Sequence, residues 1–279
     1  TFNVGVLADS IDEANETVTL TLSSATNATI SDATATLTIT DDDNPPSVDF
    51  NATSSNGAES ASSKALTVDL SAASGLDVAV AYTLSGTATG SGTDYTLANG
   101  TLTISAGETS GTITIGSIIN DTLDEANETV IVTLTASPTN ASLGSDDAHT
   151  YTINDNDATP SLSINDVTAA NEDAANRQFT VTLSAASALT VTVNYATSNG
   201  TATAGADYTA ISATQLTFSP GQTTKTFNVA VLADSLDEAN ETVTLTISSA
   251  SNATISDATA TLTITDDDAT PSLSIADVS

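Results

Sequence analysis

A ten-residue acidic segment occurs three times in the chain, and the spacing of its copies limits the possible folds. The copies read DSIDEANETV (9–18), DTLDEANETV (121–130) and DSLDEANETV (234–243). Asp12, Asp124 and Asp237 hold the same place in these copies and lie 112 and 113 residues apart. An acidic triplet follows each copy, at 41–43, 155–157 and 266–268, with Asn156 as the one non-acidic member. Because a period of this length matches a whole domain, the sequence predicts an array of similar domains.

The position of the triplets indicates where each repeat begins and ends. Residues 46–157 and 160–268 are predicted to be complete repeats. Residues 1–44 nearly duplicate the segment that starts at Thr226, so we interpret them as the last third of a preceding repeat. Residues 270–279 are interpreted as the start of a following one. The linkers between triplet and next strand are only a few residues long.

Inside each repeat, apolar residues alternate strictly with Thr and Ser. In TVTLTL (17–22), Val18, Leu20 and Leu22 share one face, and FTVTLS (179–184) repeats the pattern. A period of two is typical of strands that bury one face. Turn sequences such as SNG, SAGE and SPGQ recur every 8 to 12 positions. The pattern therefore predicts an all-β protein of tandem antiparallel β-sandwiches with about seven strands each.

Charge and composition disfavour several classes of function. The 279 residues include 35 Asp and Glu but only 3 Lys and Arg, for a net charge of −32. Nucleic acids and anionic membranes require cationic surface, so neither is expected as a partner. No run of 18 apolar residues occurs, and we expect no membrane insertion in this segment. Aromatic residues are 4% of the chain and Trp is absent, which argues against a carbohydrate-binding cleft and an enzyme.

The decapeptide and the triplet together predict a metal site. Both lie at strand ends, so a sandwich can bring them to the same tip. Carboxylates packed together need a counter-charge to stay ionised, and Ca²⁺ takes six to eight oxygen ligands. Zinc is disfavoured because the chain has one His and no Cys. Solvated acidic loops without an ion are the alternative, but they do not explain two clusters at the same phase in every repeat.

Three ordered segments carry a resemblance to a known family. NGTATAGADY (199–208), LTFSPGQT (216–223) and DEANETVTL (237–245) occur in this order and precede ATLTITDDD (260–268). With these segments the repeats resemble Calx-β domains, a family named after calcium-binding modules of the sodium–calcium exchanger. The resemblance covers essentially the whole chain, although the middle repeat departs in detail. It implies an immunoglobulin-like sandwich with Ca²⁺ as the cofactor at one tip.

The same resemblance implies a set of ligands in each repeat. In the last repeat they are Glu172, Asp207, Asp234, Glu238, Asp266, Asp267 and Asp268. In the middle repeat they are Glu59, Asp94, Asp121, Glu125, Asp155 and Asp157, and in the leading segment Asp9, Glu13, Asp41, Asp42 and Asp43. Asn156 removes one charge from the middle triplet. The segments LADS, INDT and LADS hold fewer acids than the exchanger modules, so we expect fewer ions or weaker sites.

Function is expected to be structural. We interpret the chain as part of a long secreted or cell-surface protein in which Ca²⁺ stiffens the domain tips and junctions. A Ca²⁺-sensing regulatory module and a cadherin-like adhesion module are the alternatives. Expected partners are calcium ions and neighbouring repeats; self-assembly into a filament and binding to surface proteins or glycans are left open. Residues 1–44 should supply about three strands, completed by upstream sequence or by a donor strand such as 270–279.

Overall fold

The computed structural model describes residues 1–172 and 176–277, and every regular element in these ranges is a β-strand. No helix long and apolar enough to cross a membrane occurs among them. Two compact units are present. Unit 1 contains residues 1–120 and 127–155, and unit 2 contains residues 121–126 together with the described residues from 156 onward.

Unit 1 holds a two-stranded sheet and a complete sandwich. In the sandwich, a four-stranded sheet of order β10-β3-β5-β8 faces a five-stranded sheet of order β4-β11-β9-β6-β7. The strands are β1 Glu16–Thr21, β2 Thr34–Ile39, β3 Ser47–Phe50, β4 Ser54–Ala58, β5 Ser63–Leu70, β6 Val78–Gly86, β7 Gly100–Ile104, β8 Ser110–Gly116, β9 Glu128–Leu134, β10 Ser142–Leu143 and β11 Ala148–Asn154.

Unit 2 repeats the same sandwich. Its sheets have the orders β17-β14-β12-β19 and β13-β20-β18-β15-β16. The strands are β12 Ser161–Ile164, β13 Val167–Asn171, β14 Asn176–Leu183, β15 Val191–Asn199, β16 Thr214–Phe218, β17 Thr224–Ala230, β18 Glu241–Ser251, β19 Thr254–Ile255 and β20 Thr259–Thr265.

Alternation along each strand builds the core. On β18, Val243, Leu245 and Ile247 are buried, whereas the Thr residues between them are half-buried or exposed. Each fully buried aliphatic side chain stabilises the fold by about 1.5–3 kcal/mol relative to an exposed one. The β-branched Thr residues suit the pleated outer face. The prediction of tandem all-β sandwiches is confirmed.

The first strand of each sandwich is divided between the two sheets. In unit 1, β3 pairs antiparallel with β5, and the chain then crosses over so that β4 pairs in parallel with the last strand, β11. In unit 2, the first strand is divided in the same way. Its first part, β12, pairs antiparallel with β14, and its second part, β13, pairs in parallel with β20. A short β10 or β19 adds a second parallel pair. The division and the short strand together raise the predicted seven strands to nine among the described residues, and the division positions the candidate site.

Residues 1–44 form two strands rather than the expected three. β1 and β2 pair antiparallel as a separate sheet, and the described residues before Glu16 form no strand. Val18, Leu20, Leu37 and Ile39 are only half-buried, and Leu22 is 59% exposed. The apolar face that carries these five residues is therefore largely open to water in this segment by itself. A single sheet of two strands has no opposing sheet to cover its apolar face.

Candidate metal centre

Three acidic side chains meet at one end of unit 2. Glu172, Asp266 and Asp268 each place one carboxylate oxygen within 4.8 Å of the others. The parallel pairing of β13 with β20 brings them together, because the residue after β13 then lies beside the residues after β20. The backbone N–H of Glu172 donates to the Thr265 carbonyl at 3.1 Å, which fixes this register.

The electrostatics of this triad are unfavourable without a cation. Glu172 is 7% exposed, and its Oε1, Asp266 Oδ1 and Asp268 Oδ2 are buried without a hydrogen-bond partner. Burial raises the pKa of Glu172 to about 7, with further contributions from a hydrogen bond to Asp268 and the charge of Asp234. Buried acceptor oxygens without donors destabilise a fold. A bound cation would satisfy all three.

A second acidic group lies at the same end of unit 2. Asp207, Asp234 and Glu238 also hold oxygens within 4.8 Å of one another. The Thr203 N–H donates to Asp207 Oδ2 at 2.6 Å, and the Leu236 N–H donates to Asp234 Oδ1 at 2.7 Å. These N–H donors therefore fix the orientation of both carboxylates.

The two groups influence each other. Partial burial raises the pKa of Glu238, and the charges of Asp234, Asp207, Asp266 and Asp268 raise it further. The pKa of Glu172 responds in turn to Asp234. Acids from both groups thus repel one another across a common tip. Asp267 is exposed and belongs to neither group.

Glu241 is a site residue that the sequence prediction missed. Burial raises its pKa to about 7, and a hydrogen bond to Asp207 and the charges of Asp207, Glu238 and Asp234 add to the effect. Glu241 therefore lies beside Asp207, next to the second group. The signal was present in the sequence, because the last acid of the decapeptide recurs as Glu16, Glu128 and Glu241.

The asparagine of the decapeptide connects its loop to the acidic triplet. The Asp266 N–H donates to Asn240 Oδ1 at 3.3 Å. The same bond joins Asp155 to Asn127 at 3.0 Å, and Asp41 to Asn15 at 2.9 Å. The faithful repetition of DEANET thus has a structural cause, since one residue in it positions the triplet that lies 26 or 28 residues further along the chain.

The middle repeat reproduces part of this arrangement. Glu59 is buried and lies within 4.8 Å of Asp155, and its N–H donates to the Asn154 carbonyl at 3.0 Å. Asp157 belongs to unit 2, where its Oδ2 is buried without a hydrogen-bond partner. Asp94 accepts a hydrogen bond from the Thr89 N–H, as Asp207 does from Thr203. Within residues 1–172 and 176–277, no compact group of three acids includes Asp94, Asp121 or Glu125.

The leading segment brings its acids near one another without forming a compact group. Asp9, Glu13, Asp41, Asp42 and Asp43 all line one surface hollow. The pKa of Glu13 is raised by partial burial and by the charges of Asp9, Glu16, Asp41 and Asp43. The pKa of Asp43 is raised in the same way by partial burial and by the charges of Asp41, Asp42, Asp9 and Asp12.

The chemistry of the unit 2 tip fits a hard divalent cation. Every candidate ligand is a carboxylate oxygen, and each compact group spans no more than 4.8 Å. Oxygens bound to one Ca²⁺ at about 2.3–2.6 Å lie at most about 5 Å apart. The two groups therefore have the size of Ca²⁺ coordination shells, whereas soft metals would require Cys or His.

Comparison with known proteins gives a consistent family match. The family model of the Calx-beta domain matches residues 1–43, 41–157 and 155–268. Among solved structures, CBD12 from CALX1.2 is 19% identical, with 78% of this chain and 99% of that chain covered and a TM-score of 0.37. The calcium binding domain CBD12 of CALX1.1 is 21% identical, over 73% and 80% of the two chains, with a TM-score of 0.37. The apo form of the Calx CBD1 domain is 23% identical, over 40% and 100%, with a TM-score of 0.37. No curated protein matches.

Proposed function

Because the chain belongs to the Calx-beta domain family, with matches over nearly its whole length, we propose that its repeats are calcium-binding structural modules. One observation carries the proposal. Glu172, Asp266 and Asp268 converge with buried oxygens that have no hydrogen-bond donor. A divalent cation supplies the missing charge.

Calcium would act in this protein as a crosslink. The proposed ligands of unit 2 come from four separate segments: Glu172 after β13, Asp207 before β16, the loop 234–241 before and at the start of β18, and the triplet after β20. In the metal-free protein these segments repel one another. A bound ion converts the repulsion into attraction and restricts the motion of all four segments, which stabilises the folded state by mass action.

We place these modules in a long secreted or cell-surface protein. The near-duplication of residues 1–43 by 226–268 and the matched acidic tips support a tandem structural array with repeats at 1–44, 46–157, 160–268 and 270–279. In this role, identical modules add length, and calcium sets the stiffness of each tip. A calcium-sensing role would instead require a conformational response that is passed to another domain.

Isothermal titration of the full chain with Ca²⁺ and with Mg²⁺ tests the proposal. We expect saturable binding of Ca²⁺ at millimolar concentration or below. The melting temperature of the protein should be higher in Ca²⁺ than in EDTA. Glu172→Gln should weaken binding at least tenfold, because it removes a buried ligand charge. Asp277→Asn, which removes the same charge from a residue outside both groups, should not. Equal melting temperatures with Ca²⁺ and with EDTA would contradict the proposal.

A further inference from the structure

The fourth residue of the decapeptide does not join the acidic groups. Asp12 and Asp124 are among the most buried acids of the described residues, with 9% and 7% exposure, yet neither belongs to a compact acidic group found among those residues. Each instead contacts a serine 62 or 63 residues further along the chain, in a turn with the sequence SAAS (71–74 and 184–187). These serines, Ser74 and Ser187, are almost completely buried.

In unit 1 the contact consists of several hydrogen bonds. The Ser74 hydroxyl lies 3.2 Å from the Asp12 carbonyl oxygen and 3.3 Å from Asp12 Oδ2, so it can donate to either. The Gly75 N–H donates to the Asp12 carbonyl at 2.9 Å. The Leu76 N–H donates to Ser74 Oγ at 3.1 Å, which holds the hydroxyl in place.

Unit 2 contains the same set of bonds. The Ser187 hydroxyl lies 2.9 Å from both the carbonyl oxygen and Oδ2 of Asp124. The Ala188 N–H donates to the Asp124 carbonyl at 3.1 Å, and the Leu189 N–H donates to Ser187 Oγ at 3.0 Å. We call this bond set the Asp–Ser clasp. Its recurrence in two independent units shows that it is a property of the repeat.

The serine turn is built by the repeat that carries it. The Ser74 carbonyl accepts from the Gly107 N–H at 2.8 Å, and the Ser187 carbonyl accepts from the Gly221 N–H at 2.9 Å. Both glycines have positive φ, at 85° and 79°, in the turns SAGE and SPGQ. The turn is thus held by its own repeat through the serine carbonyl, which leaves the hydroxyl and the next N–H for an aspartate.

The third copy of the loop has the same local shape, but within residues 1–172 and 176–277 it makes no such contact. The N–H of Ile11, Leu123 and Leu236 donates to the Asp two residues earlier at 2.9, 2.7 and 2.7 Å. Asp237, however, is exposed, whereas Asp12 and Asp124 are buried. Leu236 is 62% exposed, against 37% for Ile11. The third loop therefore presents an acceptor and an apolar side chain that the other two loops cover.

We propose that Asp237 and Leu236 form the docking point for the SAAS turn of a further repeat of the same type. Under this proposal each repeat is joined to its successor by one Asp–Ser clasp. The sequence identifies the occupant, because TPSLSIAD (270–277) repeats TPSLSIND (159–166), the segment that opens the repeat carrying Ser187. The clasp rests on the tandem arrangement in the proposed function, but it uses no metal ion, so the two can be tested separately.

The existing clasp is tested by hydrogen exchange of the full chain in EDTA. Asp124→Ala and Ser187→Ala should each accelerate exchange of the Ala188 amide, which donates to the Asp124 carbonyl, about five- to tenfold, as expected for the loss of one buried hydrogen bond of ordinary strength. Their double variant should show no further acceleration, because both remove the same contact. Asp237→Ala is the matched control in the same loop sequence. Unchanged exchange at Ala188 in both single variants would overturn the clasp.

The docking of Asp237 is tested by adding a repeat. A chain in which a second copy of residues 158–268 follows Asp268 supplies a new SAAS turn. In this extended chain, Asp237→Ala should accelerate exchange of the alanine amide that corresponds to Ala188 about five- to tenfold. No acceleration there would overturn the proposal. Association of the unextended chain that Asp237→Ala abolishes would also overturn it, since the occupant would then be a second molecule.

Discussion

The backbone amide of Asp266 donates a hydrogen bond to the side chain of Asn240, and this bond connects the decapeptide loop to the acidic triplet. It recurs in the other two copies at Asn127 and Asn15. The carboxylates of the loop and of the triplet therefore occupy fixed relative positions before any ion binds. Preorganisation of this kind reduces the ordering cost of binding.

Asn240→Ala should weaken Ca²⁺ binding without removing a ligand. The variant loses the bond that holds Asp266, so part of the binding free energy must be used to order the triplet. We expect a decrease in affinity of about fivefold, in line with the loss of one hydrogen bond, measured by titration calorimetry. Asn228→Ala, an exposed asparagine on β17, is the control. Equal affinity in the two variants would show that the Asn240 bond does not preorganise the site.

The metal-free protein should become less stable as the pH rises from about 5 to about 8. The folded-state pKa of Glu172 and of Glu241 is raised to about 7 from an ordinary value near 4.5. The folded state therefore binds more protons than the unfolded state between these values, and stability falls with increasing pH in that window. Melting temperatures in EDTA at pH 5.5 and pH 8 measure the effect.

Two comparisons separate this titration from other causes. Glu172→Gln should reduce the difference in melting temperature between the two pH values, because the amide does not ionise. Saturating Ca²⁺ should also reduce it, since the ion stabilises both ionised groups. A metal-free protein that melts at a higher temperature at pH 8 than at pH 5.5 would contradict the assigned pKa values.

Leu245→Ala should destabilise unit 2 much more than Leu20→Ala destabilises the leading segment. The two leucines hold the same place in TVTLT, but Leu245 is buried in the core of a sandwich and Leu20 is half-buried on a two-stranded sheet. Truncation of a buried leucine costs about 2–5 kcal/mol. Urea denaturation measures the loss of stability in each variant, and hydrogen exchange shows which part of the chain is affected. Similar losses at both positions would mean that Leu20 is covered in solution.

Gly86→Ala should destabilise unit 1 through its backbone. Gly86 has a φ of 121°, and a Cβ at this position would lie 2.1 Å from the Thr129 carbonyl oxygen. A non-glycine residue in this region of φ costs about 1–3 kcal/mol before any steric contact is counted. Gly5→Ala is the control, because nothing lies within 4 Å of its added Cβ and Ala230 occupies the matching place. Thermal unfolding measures both.

The sequence predicted the elements of this protein better than their connections. Strict alternation at Val243, Leu245 and Ile247 can only bury one face of a strand, so the sandwiches followed directly. The division of the first strand did not, because β3 and β4 are each too short to show a period. Pattern analysis also gave no reason for the parallel pairing of β4 with β11.

The candidate site shows the same contrast. Repetition marked the loop and triplet acids, and the structure brings Glu172, Asp234, Glu238 and Asp266 to one tip. Repetition did not show which role each acid has, because Asp124 and Glu125 are adjacent and both recur in every copy of the decapeptide. Their roles differ because Asp124 contacts Ser187, 63 residues away, and no local pattern encodes such a contact.

The parallel pairing of the first and last strands determines how a sandwich responds to tension. Five residue pairs join β4 to β11, from Thr150 opposite Ser54 to Asn154 opposite Ala58. A pull on the two chain ends moves such strands along their length in opposite directions, so the ladder bonds are loaded in shear and must break together. An antiparallel end pair would open one bond at a time. Each sandwich is thus built to resist stretching along the chain.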